Sequence, residues 1–198
     1  MDIPDSKLSR SWWRRMSRKQ RAVLVLEILA ALVAMRIAQS GTAGLFRQFI
    51  LEPYWIPASS MVPTLQINDR IWASKLAYRL RDPQRGDIIV FRAPPKADRD
   101  QKAFIKRVVG LPGDRLAVHD GRLWRNGQPL DEPYTQEPMT YRFPEGGGEF
   151  VVPEDAVFVL GDNRNLSNDS HKWGPLPRGN LRGKAFCLFW PPEHWRGL

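Results

Sequence analysis

The stretch "WIPASSMVPTL", Trp55 to Leu65, holds two adjacent serines, Ser59 and Ser60, between Pro57 and Pro63. Each proline fixes its own φ and pushes the residue before it towards extended geometry. Taken alone, the stretch reads as a proline-rich turn; the competing reading is a nucleophilic serine, whose hydroxyl attacks only after a base takes the proton. Histidine is the usual base. His119, His171 and His194 are widely separated, and none has a neighbouring acid pattern that marks a triad, although His171 follows the polar stretch "GDNRNLSNDS". Lysine is the alternative. In "AFIKRVVGLPGD", strand geometry places Phe104, Lys106 and Val108 on one face and Ile105, Arg107 and Val109 on the other. Burial among apolar neighbours disfavours an ammonium, and action near pH 8 needs a drop of roughly two pKa units, about 3 kcal/mol. A lysine snorkelling on an exposed strand is the competing reading, and spacing alone leaves both open. Metal chemistry is not expected. No HExxH or CxxC spacing exists, and Cys187 is the single cysteine, in the apolar run "KAFCLFW". A calcium loop starting at Asp162 would put Arg164, Ser167 and Trp173 where an acid or Asn, a Gly and a Glu belong. Neither a metal nor a cofactor is therefore predicted.

The elements that must position these groups read as β. After residue 45, short apolar runs alternate with turn signals. "RIWASKLAY", "DIIVFRA", "AFIKRVVG", "EFVVP", "AVFVLGD" and "GKAFCLFW" read as strands, and Asp120-Gly121 and Asn126-Gly127 as hairpin turns. No long amphipathic helix and no internal repeat is visible there. The expected fold is mainly β: a compact antiparallel β-sheet or barrel over residues 45–198, behind one N-terminal transmembrane helix.

The appendage carries most of the charge. Residues 1–21 hold seven Lys and Arg against Asp2 and Asp5, more than half of the net +9 of the 198-residue chain. The apolar run Ala22 to Ala38 follows, within an expected anchor at 22–40, and contains Glu27 and Arg36. A span needs about 20 apolar residues, so the run is short; Arg36, near one end, can snorkel to the interface. A spanning helix is the preferred reading over an interfacial helix or a cleaved signal peptide, because no small-residue cleavage site closes the run. The positive-inside rule then puts the arm in the cytoplasm and everything after about residue 45 outside it. The arm lacks a nucleic-acid motif or stacking platform, so no nucleic-acid partner is expected. Apolar residues beside the anchor, among them Leu45, Phe46, Phe49, Ile50, Leu51, Tyr54 and Trp55, are placed to dip into a lipid surface.

Four stretches in order, "IPASSMVPTL", "DRIWASKLAY" with "RGDIIVF", "FIKRVVGLPGD" and "GDNRNLSNDSHKWG", make the chain resemble the type I signal peptidases, membrane-anchored Ser/Lys proteases that remove signal peptides from exported proteins. The likeness runs from the basic arm to about Trp190 and is closest to the smaller bacterial kind with one membrane span. It implies Ser60 as nucleophile, Lys106 as general base, Ser167 as the hydroxyl that orients the amine and Asp169 as an acid shaping the site, with the Ser60 amide facing the oxyanion. It implies pockets for small residues at −1 and −3, which by position fall to Ile56, Met61, Leu65, Ile71, Phe104 and Ile105. The substrates implied are signal-peptide-bearing preproteins, bound as an extended strand, and the place implied is the inner (plasma) membrane, single-pass. Two departures stand out. Ala58 occupies a position where many members have Ser or Thr as a second oxyanion donor, and His171 stands where many have an arginine paired with the loop acid. The first supports an alternative: a catalytically impaired, membrane-anchored β scaffold. A self-cleaving repressor-like protein, the other Ser/Lys rival, needs a DNA-binding domain where this chain has one apolar helix.

Overall fold

In the described part of the chain, Val, Ile and Phe crowd into runs such as "IIVF" and "AVFVL". Branched and aromatic side chains suit a pleated surface covered on both sides. The computed structural model describes Ser17 and residues 51–198. The basic arm, the expected anchor at 22–40 and Leu45, Phe46, Phe49 and Ile50 lie outside the described residues. The chain divides into two units, Met1–Arg47 and Gln48–Leu198, and the strands belong to the second. They are β1 (Leu51–Trp55), β2 (Arg70–Ser74), β3 (Ile88–Arg92), β4 (Ala103–Gly110), β5 (Arg115–His119), β6 (Arg122–Arg125), β7 (Gln128–Pro129), β8 (Phe150–Val151), β9 (Ala156–Leu160), β10 (Leu176–Pro177), β11 (Leu181–Trp190) and β12 (Arg196–Gly197). The fold is mainly β and antiparallel.

The main sheet runs β1-β2-β11-β3-β4-β9-β10, with β12 added to β11, and a smaller sheet runs β7-β6-β5-β8. Among the described residues β1 and β10 are its ends, so the sheet they form is open and not a closed barrel. Register shifts in β11 and β4 mark bulges, which bend strands and raise the local twist. Both faces of the sheet are buried. β3 sends Ile88 and Val90 into one core with Met61, Leu65 and Leu188, and Ile89 and Phe91 into another with Val108 and Trp173. β9 sends Val157 and Val159 into the second core and Phe158 and Leu160 into a third, beneath the small sheet. Period-2 alternation in continuous apolar runs thus fills three cores.

Three local readings change. "RIWASKLAY" is a strand only to Ser74, and Ala77–Leu80 makes a one-turn helix, α1. The strand stops where Lys184 of β11 pairs with Ser74 and also with Ile89, passing from β2 to β3. There the Gly183 backbone packs so closely that a Cβ would lie 2.7 Å from the Ser74 carbonyl oxygen. β1 is a strand that Glu52 and Pro53 disguise; an edge strand tolerates a proline. β11 begins two residues before the expected "GKAFCLFW". The Asp-Gly and Asn-Gly pairs do form the hairpin turns, all four residues having positive φ. Among the described residues, no helix is long and apolar enough to cross a membrane.

Candidate active site

Ser60 sits in a 3₁₀ turn, Ser59–Met61, that leaves β1 through an extended Ala58. The turn is closed by Val62 N donating to the Ser59 carbonyl (3.1 Å) and Leu65 N to that of Met61 (2.8 Å). Met61 and Leu65 anchor it, their side chains wholly buried in the first core. A second loop, after β9, grips the same turn: Asn163 N donates to the Ser60 carbonyl (3.1 Å) and Asn163 Nδ2 to that of Ser59 (3.2 Å). Gly161 closes this contact, because any Cβ there would collide with the Ser60 carbonyl oxygen and Ser167 Oγ.

β4 carries the candidate base. Its register puts Lys106 opposite Ile89 and Phe104 opposite Phe91. Lys106 Nζ lies 2.7 Å from Ser60 Oγ and 3.0 Å from the Ile105 carbonyl oxygen. With 4% of its surface exposed, it is a buried lysine rather than a snorkelling one. Desolvation pushes its pKa down to about 8, against the opposing charges of Asp169 and Asp162. None of the three histidines hydrogen-bonds Ser60; their ring nitrogens meet Asp120, Asp169 and Asp69.

Asp169 caps a four-residue helix, α2 (Ser170–Trp173). Its Oδ1 accepts from His171 N (3.2 Å) and faces His171 Nδ1 at 2.6 Å, and its Oδ2 accepts from Gly161 N (2.9 Å). Burial opposes its charge, but the His171 hydrogen bond and charge and the Gly161 amide outweigh burial and hold its pKa below the ordinary carboxylate range. The His171 ring stacks on Tyr141 with centroids 4.0 Å apart. Ser167 Oγ is buried and makes no hydrogen bond, although it lies close enough to favour the charged Asp169. The contact from Ser167 to the lysine amine is thus not among the bonds formed.

A groove of about 400 Å³ opens on Ser60. Ile56, Met61, Phe104 and Ile105 line it, together with Ala58, Trp55 and Leu166. Leu65 and Ile71 do not: both are wholly buried in the first core. One wall is the free edge of β4. β9 pairs with β4 only from Arg107 onward, so among the described residues Ala103–Lys106 has no strand partner on that side. Sequence reasoning did not reach the ion pair that fixes this corner. Arg107 Nε and NH2 grip the carboxylate of Asp162 at 2.8 and 2.6 Å, and Thr64 Oγ1 donates to it at 2.5 Å. The signal was the acid in "GDNRN", read above only as a calcium ligand. Among the described residues no cluster of His, Cys, Asp or Glu could hold a metal.

A serine hydroxyl facing a buried, deprotonatable amine at the end of an apolar groove can transfer acyl groups. The family model for signal peptidase, peptidase S26, matches residues 24–190. The chain belongs to the signal peptidase family. It is an enzyme of the signal peptidase I type. It is 52% identical over 147 residues to a probable signal peptidase I-2 of Synechocystis sp., covering 73% of this chain and 66% of that protein. It is 49% identical to a signal peptidase I of Leptolyngbya laminosa, covering 73% of this chain and 71% of the relative. A thylakoidal processing peptidase 1 of Arabidopsis thaliana is 39% identical over 97% of this chain, which spans 56% of that relative.

Proposed function

We propose that the chain is a serine endopeptidase that cuts signal peptides from preproteins after small residues at −1 and −3, with Ser60 and Lys106 as a dyad. The 2.7 Å contact between Lys106 Nζ and Ser60 Oγ carries this reading. Neutral Lys106 accepts the Ser60 proton as Oγ attacks the scissile carbonyl. The lysine then passes that proton to the leaving amine as the C–N bond breaks, and the mature segment departs. Water, deprotonated by the same amine, attacks the acyl-serine and frees Ser60. The Ser60 amide is the oxyanion donor, and Asp169 positions the loop that holds the Ser60 carbonyl. Ser167, whose buried hydroxyl lies beside Asp169, orients the amine when substrate is bound.

The substrate lies extended along the free edge of β4, as an added strand. Ile56, Met61, Phe104 and Ile105 leave room for alanine-sized side chains. Residues 22–40 anchor the chain, with the N-terminus cytoplasmic and the catalytic unit outside. The plasma membrane is the first address; the Arabidopsis relative, named for the thylakoid, favours an internal membrane as the second. A lipid surface is met by exposed Trp55, Ile67, Trp190 and Trp195.

The decisive experiment is cleavage in detergent of a preprotein with alanine at −1 and −3, from pH 6 to 10, by the wild type, Ser60→Ala and Lys106→Ala. Only the wild type is expected to cut. Failure on several such substrates, rescued by Ala58→Ser, would locate the defect in the oxyanion hole; failure without rescue would leave the scaffold reading.

A further inference from the structure

The groove at Ser60 is not the end of the concave surface. A small cavity of about 90 Å³ begins at Val62, just past the nucleophile turn, and shares Leu166 with the groove. Gln136 and Glu137 form its far side and also line an outer cleft of about 580 Å³. The three spaces share lining residues in turn, Leu166 and then Gln136 and Glu137, and so trace a path from Ser60 towards the loop before Thr140. The path is built, not incidental. Its floor is fixed by Asn163, which holds the Ser59 and Ser60 carbonyls. Its far wall is tied down by Asn165: Oδ1 accepts from Thr140 N (2.9 Å) and Oγ1 (3.1 Å), and Nδ2 donates to the Pro138 carbonyl (2.9 Å).

A chain cut in its middle must leave the nucleophile on two sides. The apolar groove before Ser60 takes the residues preceding the scissile bond, so the path beginning at Val62 is where the residues after it run. We propose that this path is the binding site for the first residues of the mature segment, and that Glu137 selects basic over acidic side chains there. The inference rests on the proteolytic reading above. Glu137 is exposed and has no ion pair among the described residues. The other charges of the inner cavity are spent: Asp162 on Arg107, and Arg164 on Glu132 at 2.5 and 2.7 Å. Among the described residues Arg122 is the one cation lining the outer cleft, against Asp120, Asp131 and Glu137, with Glu132 held by Arg164. An extended peptide advances about 3.3 Å per residue, so only the first few mature positions can reach Glu137.

The test uses the full-length protein in detergent and preproteins that differ only in carrying Lys, Gln or Glu at each of the first six positions after the cleavage site. At low salt, Lys should be cleaved about two- to fivefold faster in kcat/KM than Glu at one or two adjacent positions, the size of an exposed charge pair. The contrast should reside in KM and shrink with added salt. Glu137→Gln should flatten it and Glu137→Lys reverse it, each rate being taken relative to the same protein's rate on the Gln preprotein. A contrast unchanged in Glu137→Lys, or no contrast at any position, would overturn the proposal. Failure of the wild type to cut even the Gln preproteins would overturn the proteolytic reading itself, and this inference with it.

Discussion

Lys106 shows what the proposed dyad costs the fold. A buried amine whose pKa falls to about 8 makes folding less favourable wherever the unfolded chain would still be protonated. That penalty is complete below pH 8 and disappears as pH rises past the ordinary lysine value of about 10.5. Lys106→Met should therefore abolish cleavage while raising stability near pH 7 by about 1–3 kcal/mol, and the gain should vanish above about pH 10.5; denaturant titrations at two pH values check this. The wild-type rate should rise with pH through a midpoint near 8, because only the neutral amine accepts a proton. Asp169 raises the lysine pKa by its charge. In Asp169→Asn the residual activity should show a lower midpoint, readable from a kcat/KM profile. The same variant should lose about 1–3 kcal/mol, since Asn leaves one acceptor oxygen where Gly161 N, His171 N and His171 Nδ1 share two. The face of Lys106 was legible in the alternation of "FIKRVV". Its burial was not, since the walls come from residues distant in sequence.

At the scale of elements, the site is a meeting of the turn after β1, the strand β4 and the loop after β9. Each was marked in the sequence by a local pattern, and none revealed its neighbour. Proline spacing exposed the turn, alternation exposed β4, and a string of polar residues exposed the loop. The partnership of Asp162 with Arg107 is a contact across 55 positions, and no periodicity encodes it. Ile71 and Leu65 illustrate the reverse. Their residue types suit a pocket wall, yet the inward phase of β2 and of the turn sends both into the core. Gly161 binds loop to turn by having no side chain. Gly161→Ala should force the Ser60 carbonyl away from Asn163 and lower kcat at least tenfold, a transition-state loss of about 1.4 kcal/mol or more. Its effect on KM should be small, and steady-state kinetics separate the two.

Across the whole molecule, large exposed apolar side chains gather at one end of three neighbouring strands. Trp55 and Trp190 both pair in register with Arg70, whose guanidinium lies over the Trp190 ring at 6.0 Å. Trp195 is 72% exposed and lies beyond the end of β11, after the 3₁₀ turn Pro192–His194. Trp55 also lines the groove, so a lipid surface met by this cluster would hold the groove mouth against it. Replacing Trp190 and Trp195 by Ser should slow cleavage of vesicle-inserted preproteins while leaving detergent assays unchanged. Strand-rich architecture was readable from turn signals and short apolar runs. The open sheet was not, because closure depends on which strands remain unpaired. That unpaired edge has a kinetic meaning. A peptide lying on β4 is one ligand held by two segments, each raising the local concentration of the other. Cutting at Ser60 severs that linkage: the mature segment becomes a weak, independent ligand as the acyl-serine forms, and the other fragment becomes one only after water frees Ser60. Release of the mature segment is then a consequence of the first step, and release of the other of the second.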